Sequence, residues 1–261
     1  TGYGFPGTIQ GEGKLVGIPV LFIRTSGCNL RCIWELPNGE VSICDTAESS
    51  FDTRDAVDFE ITHVLKLLKY NLGIINHIVI SGGEPMLQAS SLTQLCRKIK
   101  EEFNCHITIE TNGTIFNKDL IDYVDLFSIS PKLQDSTPNE RKLESAGLTA
   151  FSSYIQLHEN RRVNLLSLRS YFENRNDISG KPKYDIQLKF VVSSMEEETE
   201  IHNLLSQIEN VKPLDIVLMP LGADVSEIEL SAKTVAGMSI KNGWRFSPRL
   251  HIDLYTNLPG V

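Results

Sequence analysis

Six short apolar stretches recur along this sequence, and segments with helically spaced apolar residues separate most of them. The strand-like stretches cover residues 19–25, 77–80, 106–110, 125–130, 185–192 and 214–219. This repeated order of strand and helix predicts parallel strands joined by right-handed crossovers. Polar or glycine-rich loops follow the strand ends, where barrels of this kind place their chemistry. We therefore expect an α/β fold, an incomplete (βα)6 barrel.

The helical pattern is clearest in four segments. They cover residues 55–72, 92–103, a segment that begins at Ser194 as its N-cap, and 231–242. Cys96 lies on the apolar stripe of the second segment, so we expect it in the core rather than at a metal. Residues 249–255 have the pattern of a final strand.

Composition and charge narrow the class of protein. The chain has 261 residues, of which 41% are hydrophobic and 22% charged, as expected for a globular protein with a full core. A net charge of −8 argues against a nucleic-acid partner. No apolar run reaches the length of a membrane span, and the first residues do not have the pattern of a signal peptide. Because five cysteines in such a chain do not make a disulfide scaffold, we expect a reducing cytoplasm.

Three of the cysteines, Cys28, Cys32 and Cys44, follow the first strand within a short stretch. An iron–sulfur cube takes four ligands, so three thiolates leave one iron open to a ligand that is not protein. The alternative is a zinc knuckle, which needs a fourth Cys or His nearby. Asp45 is a candidate fourth ligand, whereas His63, the nearest histidine, lies in a predicted helix. The cysteine spacing leaves both metals open.

Eleven residues separate Cys32 from Cys44. Within them, Pro37-Asn38-Gly39 predicts a hairpin over about residues 35–43, because Asn-Gly accepts the backbone angles of a tight turn. A hairpin returns its two ends to the same place. We therefore expect Cys44 to lie beside Trp34 and to complete the cysteine trio.

Two further loops follow strand ends. Gly82-Gly83 and Asn112-Gly113 each have the composition of an ordinary turn when taken alone. Successive barrel strands, however, deliver their loops to one mouth. There, exposed amides after Ser81 would hold the methionyl part of a nucleotide-like ligand, and Glu110 would pair with its ammonium group.

Several longer motifs carry a family resemblance. They are Ile9-Gln10-Gly11-Glu12-Gly13, Gly17, Pro19, the run from Phe22 to Asn29, Cys44-Asp45-Thr46, Ser81-Gly82-Gly83-Glu84-Pro85, Glu110-Thr111-Asn112-Gly113, Ser130-Pro131-Lys132, Leu250-His251 and Gly260-Val261. Together they resemble the 7-carboxy-7-deazaguanine synthase family of radical S-adenosylmethionine (SAM) enzymes. The chain departs from that pattern between Cys32 and Cys44, where the family usually has two residues.

The resemblance implies a set of ligands. Cys28, Cys32 and Cys44 would hold a [4Fe-4S] cluster, and Thr46 would bind Mg²⁺, although a helix N-cap is an alternative role for Thr46. The implied SAM-binding residues are Ile43, Asp45, Gly82, Gly83, Glu84, Glu110, Ser130, Pro131 and Lys132. The implied substrate-binding residues are Gln10, Gly11, Glu12, Arg24, Ser81, His251 and Val261, of which Arg24 would hold a carboxylate in a bidentate way.

The resemblance also implies the reaction. SAM would be cleaved reductively to a 5′-deoxyadenosyl radical, which takes a hydrogen from 6-carboxy-5,6,7,8-tetrahydropterin. Ring contraction and loss of ammonia would then give 7-carboxy-7-deazaguanine. The expected partners are the pterin, an electron donor such as flavodoxin or ferredoxin, and a second copy of the chain in a homodimer. The alternatives are a glycyl-radical-enzyme activase and a non-enzymatic binding module stabilised by metal.

We expect one domain over residues 1–261 with two insertions. The first is the hairpin at about 35–43, and the second, at about 134–184, is polar and is predicted to hold two helices and a loop at 174–183. The expected final strand would carry the chain end to the barrel mouth. There the α-carboxylate of Val261 would accept two N–H groups of the pterin, with His251 nearby.

Overall fold

The computed structural model describes residues 6–54 and 56–256, and a parallel sheet is its main element. The sheet strands are β1 (Thr8–Ile9), β2 (Pro19–Thr25), β5 (His77–Gly82), β6 (His106–Thr111), β7 (Leu126–Ile129), β8 (Asp185–Val192), β9 (Ile216–Pro220) and β10 (Arg245–Phe246), while β3 (Ile33–Glu35) and β4 (Val41–Ile43) form a separate hairpin. The order in the sheet is β1-β2-β5-β6-β7-β8-β9-β10. All neighbours are parallel except β1 and β2.

Helices connect the parallel strands. They are α1 (Ala47–Ser50), α2 (Ile61–Asn71), α3 (Ala89–Phe103), α4 (Glu140–Ser145), α5 (Tyr154–Arg161), α6 (Leu165–Glu173), α7 (Glu197–Leu205), α8 (Val225–Asn242) and α9 (Leu250–Tyr255). The six predicted strands are adjacent in chain order, and β10 adds a seventh parallel strand. The prediction of an incomplete α/β barrel is confirmed. No helix in the described ranges combines the length and the apolarity that crossing a bilayer requires.

The main core lies between the sheet and the helices. Alternate residues of the central strands, such as Ile80, Ile109 and Phe127, are fully buried there against the helices. Cys96 is buried in the same core, as predicted. Because side chains alternate along a strand, the intervening residues point to the inner face of the partial barrel. That face carries the candidate site.

The structure differs from the sequence prediction at several element ends. Helix α2 begins at Ile61 rather than near residue 55, because the backbone of Glu60 is extended and Val57 is exposed instead of packed. Helix α8 begins at Val225, six residues earlier than predicted, where the Asp224 carboxylate accepts the amide of Glu227. The 134–184 insertion contains three α-helices rather than two.

The predicted final strand is wrong, since the segment from Leu250 to Tyr255 is helical. Its apolar residues alternate with polar ones, which mimics a strand, but only Ile252 among them is buried. The last strand of the sheet is instead the short β10.

The predicted hairpin is present. Strands β3 and β4 pair antiparallel, with Ile33 opposite Ile43, and Gly39 has the positive φ of 85° that the turn needs. The amide of Cys44 donates to the carbonyl of Cys32 at 3.2 Å. The hairpin therefore returns Cys44 to Cys32, two residues before the expected neighbour Trp34.

Helix α7 begins at Glu197 with Glu196 at its N-cap, so the predicted cap Ser194 lies outside the helix, where its hydroxyl accepts the amide of Glu196 at 3.3 Å. The side chain of Glu197 also binds this end of the helix. One of its carboxylate oxygens accepts the amides of Ser193 and Ser194 at 2.7 and 2.9 Å. The other is buried and has no hydrogen-bond partner among the described residues. Burial raises the pKa of Glu197 to about 7.

This shift gives a prediction about pH and stability. A carboxyl whose pKa is raised by folding stabilises the folded state below its unfolded pKa of 4.5, and that contribution is lost as pH rises through 7. Glu197→Gln should therefore raise the free energy of unfolding by about 2–3 kcal/mol at pH 8 and change it little at pH 4.5. Urea denaturation at both pH values measures this. The exposed Glu209→Gln is the control, and an equal effect of Glu197→Gln at both pH values would contradict the assignment.

Candidate active site

A row of polar side chains crosses the inner face of the sheet near its carboxyl edge. Arg24 on β2 is in register with Ser81 on β5, and Glu110, Ser128 and Gln187 continue the row on β6, β7 and β8. Arg24 is exposed on this face, and it has no hydrogen-bond or ion-pair partner within the described ranges. Strand β2 is open on its inner side at Arg24. A free guanidinium there is available to an anionic ligand.

The three cysteines after β2 lie close together. Cys32 is buried, Cys28 and Cys44 are half-buried, and all three are free thiols. Burial raises the pKa of the Cys28 thiol to about 11 and raises those of Cys32 and Cys44 as well. Cys28 and Cys32 both also feel the charge of Cys44, so the three sulfurs form one group.

This thiol group fits an iron–sulfur cube. Among residues 6–54 and 56–256, no three Cys, His, Asp or Glu side chains converge as the ligands of a single ion would. A cube does not require such convergence, because its three thiolates bind three different irons. His63, the histidine weighed for zinc, lies on the exposed side of α2.

A small apolar core surrounds the cysteines. Leu30, Trp34, Leu36 and Leu221 are buried and pack with Cys32. Trp34 and Leu36 come from the hairpin segment, so the insertion between the second and third cysteines supplies part of this cover. It keeps water from one side of the cysteine group.

Lys132 brings a positive charge to the same place. Its Nζ atom donates to Ser130 Oγ at 2.9 Å and lies 5.9 Å from the ring centroid of Trp34. Its charge acts on the thiols of Cys28, Cys32 and Cys44, lowering the pKa that burial raises. Ser130 and the buried Pro131 follow β7, and the amide of Ser130 donates to the carbonyl of Thr111.

The glycine loop after β5 packs directly on the cysteine loop. A Cβ atom on Gly83 would lie 2.3 Å from the carbonyl oxygen of Gly27, and one on Gly82 would lie 2.1 Å from that of Thr25. The amide of Gly83 donates to the carbonyl of Thr25 at 3.1 Å, and the amide of Glu84 donates to the carbonyl of Gly27 at 2.8 Å. The prediction that these amides are exposed for a ligand is wrong, because they hold two loops of the protein together.

The Glu84 carboxylate also has protein partners. It accepts the Thr111 hydroxyl at 2.6 Å and the amides of Asn112 and Met86 at 2.6 and 2.9 Å. The Asn112 side chain in turn donates to Asn29 at 2.9 Å. Glu84 therefore joins the loop after β5 to the loop after β6, and its contact with SAM stays a prediction.

Thr46 and Ile43 flank the third cysteine. Thr46 occupies the N-cap position of α1, but its hydroxyl makes no capping hydrogen bond. Instead, Thr46 Oγ1 lies 3.4 Å from Cys44 Sγ and donates to the carbonyl of Gly82 at 3.4 Å. Ile43 is exposed at the end of β4. The alternative capping role of Thr46 is thus absent from the described geometry, and its hydroxyl faces the glycine loop.

The segment around Gln10 reaches the inner face beside Glu110. Gln10 Nε2 donates to Glu110 Oε1 at 3.1 Å. A Cβ atom on Gly11 would lie 2.0 Å from His251 Nδ1, so only glycine lets the segment lie against the start of α9. The amide of Leu250 donates to the carbonyl of Gly11 at 3.0 Å. Glu110, expected at the SAM ammonium group, therefore lies beside a predicted substrate residue.

Glu12 is the centre of a largely buried ion-pair network. It pairs with Lys189 on β8 and, at 3.0 Å, with Arg249 Nε, while His251 Nε2 is 3.9 Å away. Arg249 also binds Asp45, which is next to Cys44. Burial would raise the pKa of Glu12, but the two cations outweigh it and hold that pKa below its usual range. Glu12 therefore stays ionised.

The comparisons with known proteins agree with this geometry. The model of the radical SAM superfamily matches residues 22–145. The 7-carboxy-7-deazaguanine synthase of Halobacterium salinarum is 34% identical over 97% of this chain and 89% of its own length. That of Rhodopirellula baltica is 31% identical over 97% of this chain and 85% of its own length. The chain belongs to the 7-carboxy-7-deazaguanine synthase family.

Membership in this synthase family confirms several predictions. The protein is a radical SAM enzyme of the lyase class, with a [4Fe-4S] cluster and SAM as cofactors, and it acts on a small molecule with the help of a reductant. The activase and the binding module are not favoured. The crystal structure of QueE from Escherichia coli matches 94% of this chain and 91% of its own, with a TM-score of 0.61 at 22% identity, which supports the fold.

The individual residue roles in this synthase-family enzyme stay predictions. The structure brings together the three cysteines, the loops after β5, β6 and β7, and the segment from Gln10 to Glu12 with His251. Val261 lies outside the described residues. Sequence analysis missed Lys189 and Arg249, because each is a single cation without a motif. The position of Lys189 on β8 could have revealed it. Lys189 lies two residues after Gln187, so both side chains point to the inner face of the sheet.

Proposed function

We propose that this enzyme converts 6-carboxy-5,6,7,8-tetrahydropterin to 7-carboxy-7-deazaguanine in 7-deazapurine biosynthesis. The observation that carries the proposal is the link from Glu12 through Arg249 to Asp45, next to Cys44. It ties the expected substrate segment to the expected cluster ligands. A substrate held at Glu12 would therefore lie at the same mouth as the radical source.

The cofactors supply the difficult chemistry. When bound, the cluster and SAM provide a 5′-deoxyadenosyl radical that takes a hydrogen from the substrate. In our proposal Cys28, Cys32 and Cys44 hold the cluster. The residues that would hold SAM are Ile43, Asp45, Gly82, Gly83, Glu84, Glu110, Ser130, Pro131 and Lys132. The apolar cover around Trp34 and Leu36 excludes water.

The chain's own residues orient the pterin. Arg24, unpaired on the open face, would bind the substrate carboxylate in a bidentate way. Glu12, held ionised, can accept N–H groups of the pterin ring, and Gln10, Gly11, Ser81 and His251 complete the pocket. Lys189 keeps Glu12 in place from the other side. Orientation of this kind is the protein's main contribution to radical chemistry, because it fixes which hydrogen is within reach.

We further propose a homodimer in the cytoplasm that receives its electron from flavodoxin or ferredoxin. Analytical ultracentrifugation tests the dimer, and reduction of the enzyme by each purified donor tests the electron source. A monomer at micromolar concentration would contradict the first proposal.

Thr46 is the proposed Mg²⁺ ligand. Its hydroxyl faces Gly82 O rather than the helix amides it would cap. Thr46→Ala should lower turnover about tenfold and weaken its dependence on Mg²⁺, with SAM cleavage largely kept. A Mg²⁺ titration of product formation measures this, with the exposed Thr53→Ala as control. Identical titration curves for Thr46→Ala and the unchanged enzyme would remove Thr46 from the metal site.

One assay tests the proposed function itself. The reconstituted enzyme is incubated without oxygen with SAM, reductant and 6-carboxytetrahydropterin, and the products are identified by mass spectrometry. We expect 7-carboxy-7-deazaguanine in multiple turnovers. A tetrahydropterin without the carboxylate should give at least about a hundredfold less product, because Arg24 then has no partner. Equal turnover of both pterins would contradict the substrate assignment.

A further inference from the structure

The helical insertion at 134–184 contacts the loop of residues 28–32, which we call the cluster loop. His158, on α5 of the insertion, is fully buried. Its Nδ1 atom accepts the backbone amide of Arg31 at 3.1 Å. His158 therefore contacts the residue that directly precedes Cys32 in the cluster loop.

The other nitrogen of His158 fixes the ring. Nε2 lies 3.1 Å from Ser136 Oγ, which donates to the carbonyl of Leu133 at 2.6 Å. Because Ser136 uses its hydrogen on Leu133, it accepts from Nε2–H, and Nδ1 is left as an acceptor. This tautomer is the one that the amide of Arg31 requires.

Arg31 transmits the contact to Cys28. Its Nη1 atom donates to the carbonyl of Cys28 at 2.7 Å and to that of Leu30 at 2.8 Å. The guanidinium lies 4.4 Å from the ring centroid of Tyr154 and 5.8 Å from that of Phe151, both in the insertion. Such cation–π contacts are favourable when the cation is buried, and Arg31 is 9% exposed.

Lys142 holds the other side of Cys32. This side chain, almost completely buried, donates to the carbonyl of Ile33 at 3.1 Å and also to the side chain of Asp135 at 3.2 Å. The insertion thus contacts the backbone directly before and directly after Cys32. Cys32 itself accepts from the amide of Cys44.

We propose that the insertion is a latch that keeps the cluster loop in its ligand-binding shape, with His158 and Arg31 as positioning residues. Without the latch, the loop would open more often and expose bound iron to solvent. The proposal concerns retention of the cluster and does not depend on the identity of the substrate. The test therefore measures the release of iron and does not use pterin turnover.

The experiment measures the release of iron from reconstituted enzyme to a ferrous chelator under anaerobic conditions. His158→Ala should release iron about tenfold faster, because the amide of Arg31 loses its buried acceptor. His158→Asn, whose side-chain oxygen can replace Nδ1, should stay within about threefold of the unchanged enzyme. The melting temperature of each apoprotein is measured in parallel.

The matched control is His77→Ala. His77 is also buried and hydrogen-bonded, to Thr108 at 2.9 Å, but it lies at the opposite end of the strands. We expect it to lower the melting temperature as much as His158→Ala does, with unchanged iron release. Equal release from both alanine variants, or unchanged release from His158→Ala, would overturn the proposal.

A second variant tests the latch if His158→Ala does not fold. Tyr154→Leu removes the ring over the Arg31 guanidinium and leaves the His158 contact in place. It should release iron about threefold faster than the unchanged enzyme, while the exposed Tyr70→Leu should not. An unchanged rate in Tyr154→Leu would then contradict the latch.

Discussion

Replacing Cys28, Cys32 or Cys44 with alanine should abolish the iron–sulfur absorbance of the reconstituted enzyme and reduce SAM cleavage to background. The cube has only these three protein ligands in our assignment, and two thiolates cannot hold it. The effect should be the same at each position, because each thiolate binds its own iron. Iron analysis and visible absorbance of the three variants measure it.

The remaining two cysteines are the matched controls. Cys96 and Cys105 are buried away from the cysteine group, both in the main core. Cys96→Ala and Cys105→Ala should keep a full complement of iron and lose about 1–2 kcal/mol of stability. Loss of iron in either variant, or its retention in Cys28→Ala, would contradict the ligand assignment.

The second large effect is expected from Glu12→Gln. Glu12 is the shared anion of Lys189 and Arg249, whose side chains are 9% and 6% exposed. Removing one partner of a buried ion pair leaves an uncompensated charge, so the apoprotein should lose about 3 kcal/mol of stability. Turnover should fall at least about a hundredfold, because the proposed acceptor for the pterin is lost.

Two measurements separate these effects. Urea denaturation of the apoprotein measures how much the ion pairs contribute to stability, and kcat/KM measures how well the substrate is bound and converted. Glu101→Gln, which removes an exposed pairing with Lys98, is the control and should leave both quantities unchanged. An apoprotein of Glu12→Gln with unchanged stability would contradict the network.

Local patterns predicted most of the fold. The strands, the turn at Asn38-Gly39 and the core position of Cys96 depend on nearby residues, so periodicity and turn chemistry were enough. The segment from Leu250 to Tyr255 was assigned the wrong type of element, because its alternating apolar residues fit a strand as well as an exposed short helix. In the structure the segment is helical, and the amide of Leu250 donates to the carbonyl of Gly11.

The candidate site was predictable only where motifs exist. The amides after Ser81 were expected to be free, but their partners, Thr25 and Gly27, come from a loop distant in sequence. Lys189 and Arg249 were not predicted, because their partners are also distant in sequence and an isolated cation is normally a surface residue. His158 reaches Arg31 across 127 positions of the chain, and no local pattern could reveal that contact.

The most direct test of the account follows the substrate hydrogen. The enzyme is given 6-carboxytetrahydropterin deuterated at the saturated carbons of its ring, with unlabelled SAM and reductant. If a 5′-deoxyadenosyl radical formed at the cysteine group abstracts hydrogen from a pterin held at Glu12 and Arg24, deuterium will enter the 5′-deoxyadenosyl group and will be found in released 5′-deoxyadenosine or in recovered SAM. No fixed ratio to product is expected, because the conversion loses only ammonia and the substrate radical must regain a hydrogen atom. Unlabelled 5′-deoxyadenosine and unlabelled SAM, with 5′-deoxyadenosine formed at the same rate with and without the pterin, would contradict the account.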